Sequence, residues 1–438
     1  MALIYNATFA KNTRKLSFED KAGNEIYSFT VPERGPAVDD IAKPLTFKAT
    51  QDGSTVKLTK KGSPDGAFQT SRDGGNTWTD YTLNTAIALN IGEKVSFRTK
   101  FDRPSGYNYH YQDYDEYFYF EMTGKIEAWH NVMSMYRKND FATYNTVLRY
   151  AFTSLFQDCT SLTKAPVLPA TTLANNCYDG MFYRCTSLTE APVLPATKLS
   201  YSCYDGMFSG CASLTRAPEL PATTIERYCY RSMFYNCKSL AEAPALPATT
   251  LYDSCYDGMF YNCKSLTRAP VLPATTLAES CYMGMFRGCK SLKEAPELPV
   301  TTLANRCYYD MFDDCYSLTK APALPATTLT TECYHSMFVS CESLTKAPEL
   351  PATTLADKCY ERMFYACRRL NEVRCHMPST ISAENVPKYT GKGGVDEWLD
   401  VVSSTGKFYT NEDAHWPSGD NGIPTGWTRL NINDYPTT

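Results

Sequence analysis

With 438 residues and 43% hydrophobic side chains, the chain has the length for about two to four domains and enough apolar material for cores without disulfides. A formal net charge of −4 and the absence of any run of five like charges remove the electrostatic footprint of a nucleic-acid binder. The opening MALIYNATFAKNTRKLSF lacks the basic start and apolar core of a signal peptide, and no window nears eighteen apolar residues. The chain therefore reads as made in the cytosol and not inserted in a membrane, unless a leader has been removed.

Residues 1–40 read as a β arm, with IYNATFA, KLSF and EIYSFTV as strands around a KAGN turn. Such an arm suits anchoring to a larger assembly or oligomerisation, and a homo-oligomer stays open. Residues 41–123 read as an immunoglobulin-like β-sandwich, because LTFKAT, TVKLTK, AFQTSR, KVSFRTK and YFYFEM alternate between DGS, GSPDG and DGGN turns. Within it SRDGGNTW (Ser71, Asp73, Gly75, Trp78) resembles the Asp-box of sialidase-type propellers, which implies a structural hairpin and no catalysis. YNYHYQDYDEYFYF places Tyr107, Tyr109, Tyr111 and Tyr114 in an aromatic, acidic stretch. It reads as a glycan- or protein-contacting loop or as an alternating edge strand.

Residues 124–150 read as the N-terminal cap of a repeat, since Thr146 and Val147 take the TL places of the unit that follows. From there a period of 26 governs the chain to about residue 384. One cysteine column runs from Cys177 through Cys203 and Cys229 to Cys359, and a second from Cys159 through Cys185 to Cys367. The unit is CYxxMFxxCxSLTxAPxLPATTLxxx. About nine copies are present, the first carrying Ala151 in the first-cysteine place and the last decaying into RRLNEVRCHMPSTI. The leucine, first cysteine, methionine and second cysteine recur four apart, which predicts a helical piece, and SLTxAP predicts a short strand. Neither buries its own apolar face, so the units are expected to stack into an α/β solenoid over 124–384. In 385–438, VDEWLDVV predicts a short helix and HWPSGDNGIPTGW a compact aromatic cap module.

The units AFTSLFQDCTSLTKAP and CYxxMFxxCxSLT resemble the BspA-like leucine-rich repeats found in surface proteins of gut and oral Bacteroidetes and in some of their phages. Their period of 26 is longer than is usual there. The resemblance implies a non-enzymatic binding or adhesion scaffold.

Eighteen cysteines invite metal or redox readings, but the columns favour small buried hydrophobes. A helix would hold the two cysteines of one unit roughly 12 Å apart, too far for a disulfide. Rungs between neighbouring repeats stay open. The spacing is not that of a zinc site, and the histidines are scattered, so no metal or cofactor is expected. Cys375 lies off both columns and reads as an exposed thiol. The tyrosine after the first cysteine (Tyr178, Tyr204, Tyr256) recurs regularly and reads as core. Lys164, Glu190, Arg216, Glu242, Arg268 and Glu294 alternate in sign, followed by Lys320, Lys346 and Glu372, and the row is expected to fix register on the strand side.

Variation concentrates beside MF and before the first cysteine. It marks Asp179, Tyr183, Arg184, Tyr235, Tyr261, Arg287, Tyr309, Asp313, His335 and Tyr365 as a ligand or partner surface, against the alternative of a solvated face. No phosphate loop, GxSxG or HExxH is present, and GKGGVD at 391–396 lacks the remaining features of a dinucleotide site, so no enzyme is expected. The leading expectation is a phage virion-associated fibre or decoration protein, contacting a host-surface protein or glycan and other virion proteins through 1–40. A bacterial cell-surface adhesin and an intracellular interaction scaffold are the alternatives.

Overall fold

A computed structural model describes residues 38–61, 67–102, 117–377, 394–412, 414, 416–419 and 421–436, together with the backbone of the strands Asn6–Ala10, Lys15–Glu19 and Glu25–Thr30. Contacts divide the chain into a compact unit over residues 2–247 and another over 248–438.

In residues 2–247, the three N-terminal strands form an antiparallel sheet in chain order. Two further sheets follow. One holds Tyr117–Thr123, Ser54–Lys61 and Ile87–Leu89. The other has six strands, in the order Leu162–Lys164, Ile126–Trp129, Thr46–Ala49, Lys94–Thr99, Phe68–Ser71 and Thr79–Tyr81. Alternation drives their burial. Val56, Leu58, Phe118 and Phe120 turn inward from their strands, and Phe47 meets Phe120 and Phe97 edge-on at 4.7 and 5.7 Å.

The hairpin between Phe68–Ser71 and Thr79–Tyr81 is closed by Asp73. Its carboxylate accepts from the Asn76 and Thr77 amides at 3.0 Å and from Thr77 Oγ1 at 2.6 Å. The Ser71 and Thr77 hydroxyls hold it far below the usual carboxylate range. Asp73 is thus engaged in closing a turn.

The sheet domain also closes the near end of the repeats. Ile126–Trp129 pairs in parallel with Leu162–Lys164, the Cys159 thiol donates to the Phe120 carbonyl at 2.9 Å, and the Phe120 ring stacks on Phe156 at 5.4 Å. Thr146–Val147 pairs in parallel with Thr172–Leu173, as their equivalence in the repeat requires.

The CYxxMFxxC segment is not a helix. Every fourth residue has positive φ, at Asn176, Gly180 and Arg184 and again at Ser202, Gly206 and Gly210. Such a residue ends a right-handed helix, at a cost of about 1–2 kcal/mol when it carries a side chain. The resulting run of four-residue turns frees half of its amides. Met181 and Tyr183 donate within the repeat, to the carbonyls of Tyr178 and Gly180, whereas Tyr178, Gly180, Phe182 and Arg184 donate to Cys203, Asp205, Met207 and Ser209 of the next repeat. A helix would have satisfied all of these internally. The expected α/β solenoid is therefore a stack of turns joined by backbone hydrogen bonds.

Inside the stack, Tyr178, Tyr204 and Tyr230 overlap at 5.9 and 6.0 Å, and Phe156, Phe182, Phe208 and Phe234 at 5.3, 5.5 and 5.8 Å. The extended pieces touch through single parallel bridges, Lys164 with Glu190, Glu190 with Arg216 and Arg216 with Glu242.

In residues 248–438, Phe260, Phe286, Phe312, Phe338 and Phe364 overlap at 5.6–5.7 Å. In the row of alternating charge, Lys346 and Glu372 form an ion pair at 3.1 Å, the only pair of that row to close among the described residues. VDEWLDVV is not a helix either. Tyr360, Arg362, Phe364 and Ala366 donate to the carbonyls of Gly394, Asp396, Trp398 and Asp400, so GVDEWLDVV is one more turn run. Glu372–Cys375, Gly406–Thr410 and Trp427–Asn431 complete a parallel three-stranded sheet. Cys375 is fully buried in the first of these strands and is not the exposed thiol its position suggested.

Candidate functional site

The turn run sorts side chains in pairs. Cys177, Tyr178, Met181 and Phe182 point inward and are at most 1% exposed, leaving Asp179, Gly180, Tyr183 and Arg184 outside. Each outward place is a column along the stack.

All eighteen cysteines are buried, and none forms a disulfide. Those of the second column do more than fill space. Cys185 donates its thiol to Phe156 O at 3.0 Å, Cys211 to Phe182 O at 3.2 Å and Cys315 to Phe286 O at 3.1 Å. Each carbonyl also accepts an amide from within its own turn, for example Cys185 N on Phe182 O at 3.1 Å. Burial pushes thiols up, Cys203 and Cys281 to about 12, so at neutral pH they are protonated and poor nucleophiles or metal ligands. Among the described residues no group of three or more His, Cys, Asp or Glu side chains is placed to hold a metal.

On residues 2–247 the outward columns line a groove of about 810 Å³. Three expected residues, Asp179, Tyr183 and Tyr235, lie in its wall; Arg184 stands outside, 3.8 Å from Asp158. The groove also contains Asp205, Ser209, Tyr201 and Arg231, which were not singled out from the sequence. The 26-residue equivalence of Asp205 and Arg231 to Asp179, and of Ser209 to Tyr183, was the signal available for three of them.

Arg231 grips the Asp205 carboxylate with Nη2 at 2.6 Å and Nε at 3.0 Å. Burial nevertheless raises Asp205 above its ordinary value, outweighing that partner. Asp179 accepts from Asn176 Nδ2 at 3.3 Å; burial, then the neighbouring Asp205 charge, push its carboxyl up to about 7.

On residues 248–438, the corresponding columns bring Tyr261, Arg287, Asp310 and Asp313 together. Arg287 reaches Asp310 at 2.5 Å and Asp313 at 3.0 Å and lies 5.5 Å from the Tyr261 ring centroid. Burial raises Asp310 to about 6 and Asp313 to about 7 against that guanidinium. Tyr309 stacks on His335 at 4.4 Å, and His335 lies 3.6 Å from Glu361. Burial lowers the imidazole despite that carboxylate. Tyr365 lies 4.5 Å from the Arg362 guanidinium. Tyr107, Tyr109, Tyr111 and Tyr114 lie outside the described residues.

Residues 140–241 and 253–386 match the family model of the BspA type leucine rich repeat region, in six copies. No curated protein and no solved structure gives a significant match. Both the family match, which spans more than half of the chain, and the stacked turns give one conclusion: the chain belongs to the BspA-type leucine-rich repeat family.

Proposed function

We propose that the chain is a non-enzymatic recognition protein displayed on a surface, and that its place is a phage virion, as a fibre or decoration protein whose outward turn columns meet a protein or glycan of the host surface. The family is one of protein-interaction repeats, usually surface-exposed. The observation that carries the reading is where variation falls. Tyrosines, arginines and carboxylates change from repeat to repeat at the outward places of the turn run, such as Asp179, Arg231 and Tyr309 at one place of the unit, while the inward cysteine, tyrosine, methionine and phenylalanine recur unchanged from Cys177 to Phe364. Tyrosine and arginine are residues that dominate binding energy at interfaces.

Eighteen buried thiols, eight of them seen donating to backbone carbonyls in the second column, support folding in a reducing cytosol before particle assembly. Among the described residues no helix is long and apolar enough to cross a membrane. In this reading residues 1–40 attach to other virion proteins, residues 41–123 form an immunoglobulin-like spacer, and residues 385–438 finish the stack.

The test is to purify phage particles through a density gradient and quantify the chain against the major capsid protein. A fixed ratio is expected. Absence from particles, with recovery in the host envelope, overturns the virion assignment in favour of a cellular adhesin.

A further inference from the structure

The groove on residues 2–247 is unusual in what it lacks. Its lining consists of tyrosines, serines, glycines, amides, two arginines and two aspartates, and contains no aliphatic side chain. A peptide anchors through apolar or aromatic residues seated in apolar pockets. This groove offers none. Its formal charges also balance, Arg149 and Arg231 against Asp179 and Asp205, with Arg231 already bound to Asp205. An acidic ligand would need an excess of cationic donors.

We infer that the groove binds an uncharged oligosaccharide, an inference that rests on the recognition reading above and names its ligand class. Sugars present two kinds of surface, an apolar face of ring C–H groups and a rim of hydroxyls that both donate and accept. Tyr183 and Tyr235 stand two repeats apart in one column, with only Ser209 between them. Beneath that column two core ring steps measure 5.5 and 5.8 Å, so the backbone positions of the two tyrosines are about 11 Å apart along the stack, and both rings line the groove as aromatic surface for a sugar ring. Gly206 opens the floor: a Cβ there would meet nothing within 4 Å.

Asp179 faces this space with Oδ2 held by Asn176 and with no protein donor on Oδ1 among the described residues. A carboxyl in that position takes paired hydroxyls of a sugar as donor and acceptor. The volume of about 810 Å³ falls within the range of small-ligand sites.

The structure also supplies a blocking variant. Gly206 has φ 56°, and the equivalent residue of a later repeat is Arg362 with φ 55°, so the fold already carries an arginine at this place. Gly206→Arg therefore fills the groove, at the cost of a side chain at positive φ that the fold already bears at Arg362.

The test uses the full chain on an array of neutral hexose and N-acetylhexosamine oligosaccharides, with sialylated and uronic-acid oligosaccharides as the charged arm. The strongest neutral ligand is then titrated by calorimetry. Tyr183→Ala and Gly206→Arg are expected to weaken binding at least about tenfold, whereas Tyr183→Phe, which keeps the ring, and Tyr365→Ala, outside the groove, change it less than about twofold. Three results overturn the inference: no neutral oligosaccharide bound, preference for the charged arm, or binding unchanged by Gly206→Arg. If the chain is found on phage particles but binds no neutral oligosaccharide, this inference falls and the virion assignment stands. If it binds through the groove but is absent from particles, the reverse holds.

Discussion

Serine substitution separates the two cysteine columns. Cys203 and Cys211 belong to one repeat and are both fully buried. The Cys211 thiol donates to Phe182 O at 3.2 Å, whereas Cys203 has no thiol bond to a carbonyl among the described residues. Replacing either by serine buries a hydroxyl, at a cost of about 1–3 kcal/mol. At position 211 the hydroxyl inherits the carbonyl and recovers about 0.5–1.5 kcal/mol; at 203 it has none to inherit. Cys203→Ser should therefore be the more destabilising by about 1 kcal/mol, or about 2–4 °C in a thermal scan. Alanine at the two positions controls for volume, because it deletes the same sulfur at each. Calorimetry or circular dichroism of the four variants is the assay. Equal losses for both serine variants, or a larger loss at Cys211, would refute a donor role for the second column.

Three further outcomes follow from the same structure. Asp179 has its folded value raised from 3.8 to about 7, so the folded state holds the proton more tightly and its contribution is complete below about pH 4 and lost as pH rises through 7. At about 1.4 kcal/mol per pH unit the ceiling is about 4 kcal/mol, which relaxation and water entry reduce. The melting temperature should fall between pH 5 and pH 8, and Asp179→Asn should flatten that fall; an unchanged slope contradicts the assignment. Thiol reagents should find none of the eighteen cysteines in the native chain and all eighteen after unfolding without reductant; a shortfall in the unfolded chain would mean disulfides. Trp398, fully buried between Tyr360 and Trp416 with Nε1 donating to Gly422 O at 3.1 Å, should cost about 3–5 kcal/mol when changed to alanine. Limited proteolysis should then nick residues 394–436 first, and an unchanged pattern would show that this turn does not close the stack.

The period and its inward residues were legible because the two cysteine columns repeat without drift. The helix was misread from the same regularity. Leucine, cysteine, methionine and cysteine recur at a strict four, whereas a helix repeats every 3.6 residues, so its stripe would drift by about 40° at each step. A second signal lay in the residues between, such as Asn176, Gly180, Ser202, Gly206 and Gly210. They are rich in the types that accept positive φ, and in the structure they adopt it. The turn run at 394–402 was hidden because Gly394 and Val402 replace the two cysteines and Trp398 the methionine, after a longer connection. Burial of Asp179 and Asp205 was not legible either. A polar column reads as solvated until the neighbouring repeats are seen to wall it.

Binding of fluorescently labelled full chain to intact cells of the bacterial host tests most directly which face carries recognition. One variant combines Tyr183→Ala with Tyr235→Ala in the outward columns, and another combines Glu190→Ala with Glu242→Ala in the row of single bridges on the extended side. Loss of cell binding in the first and its retention in the second is the predicted result. Retention in the first with loss in the second would contradict it and move recognition to the extended side of the stack.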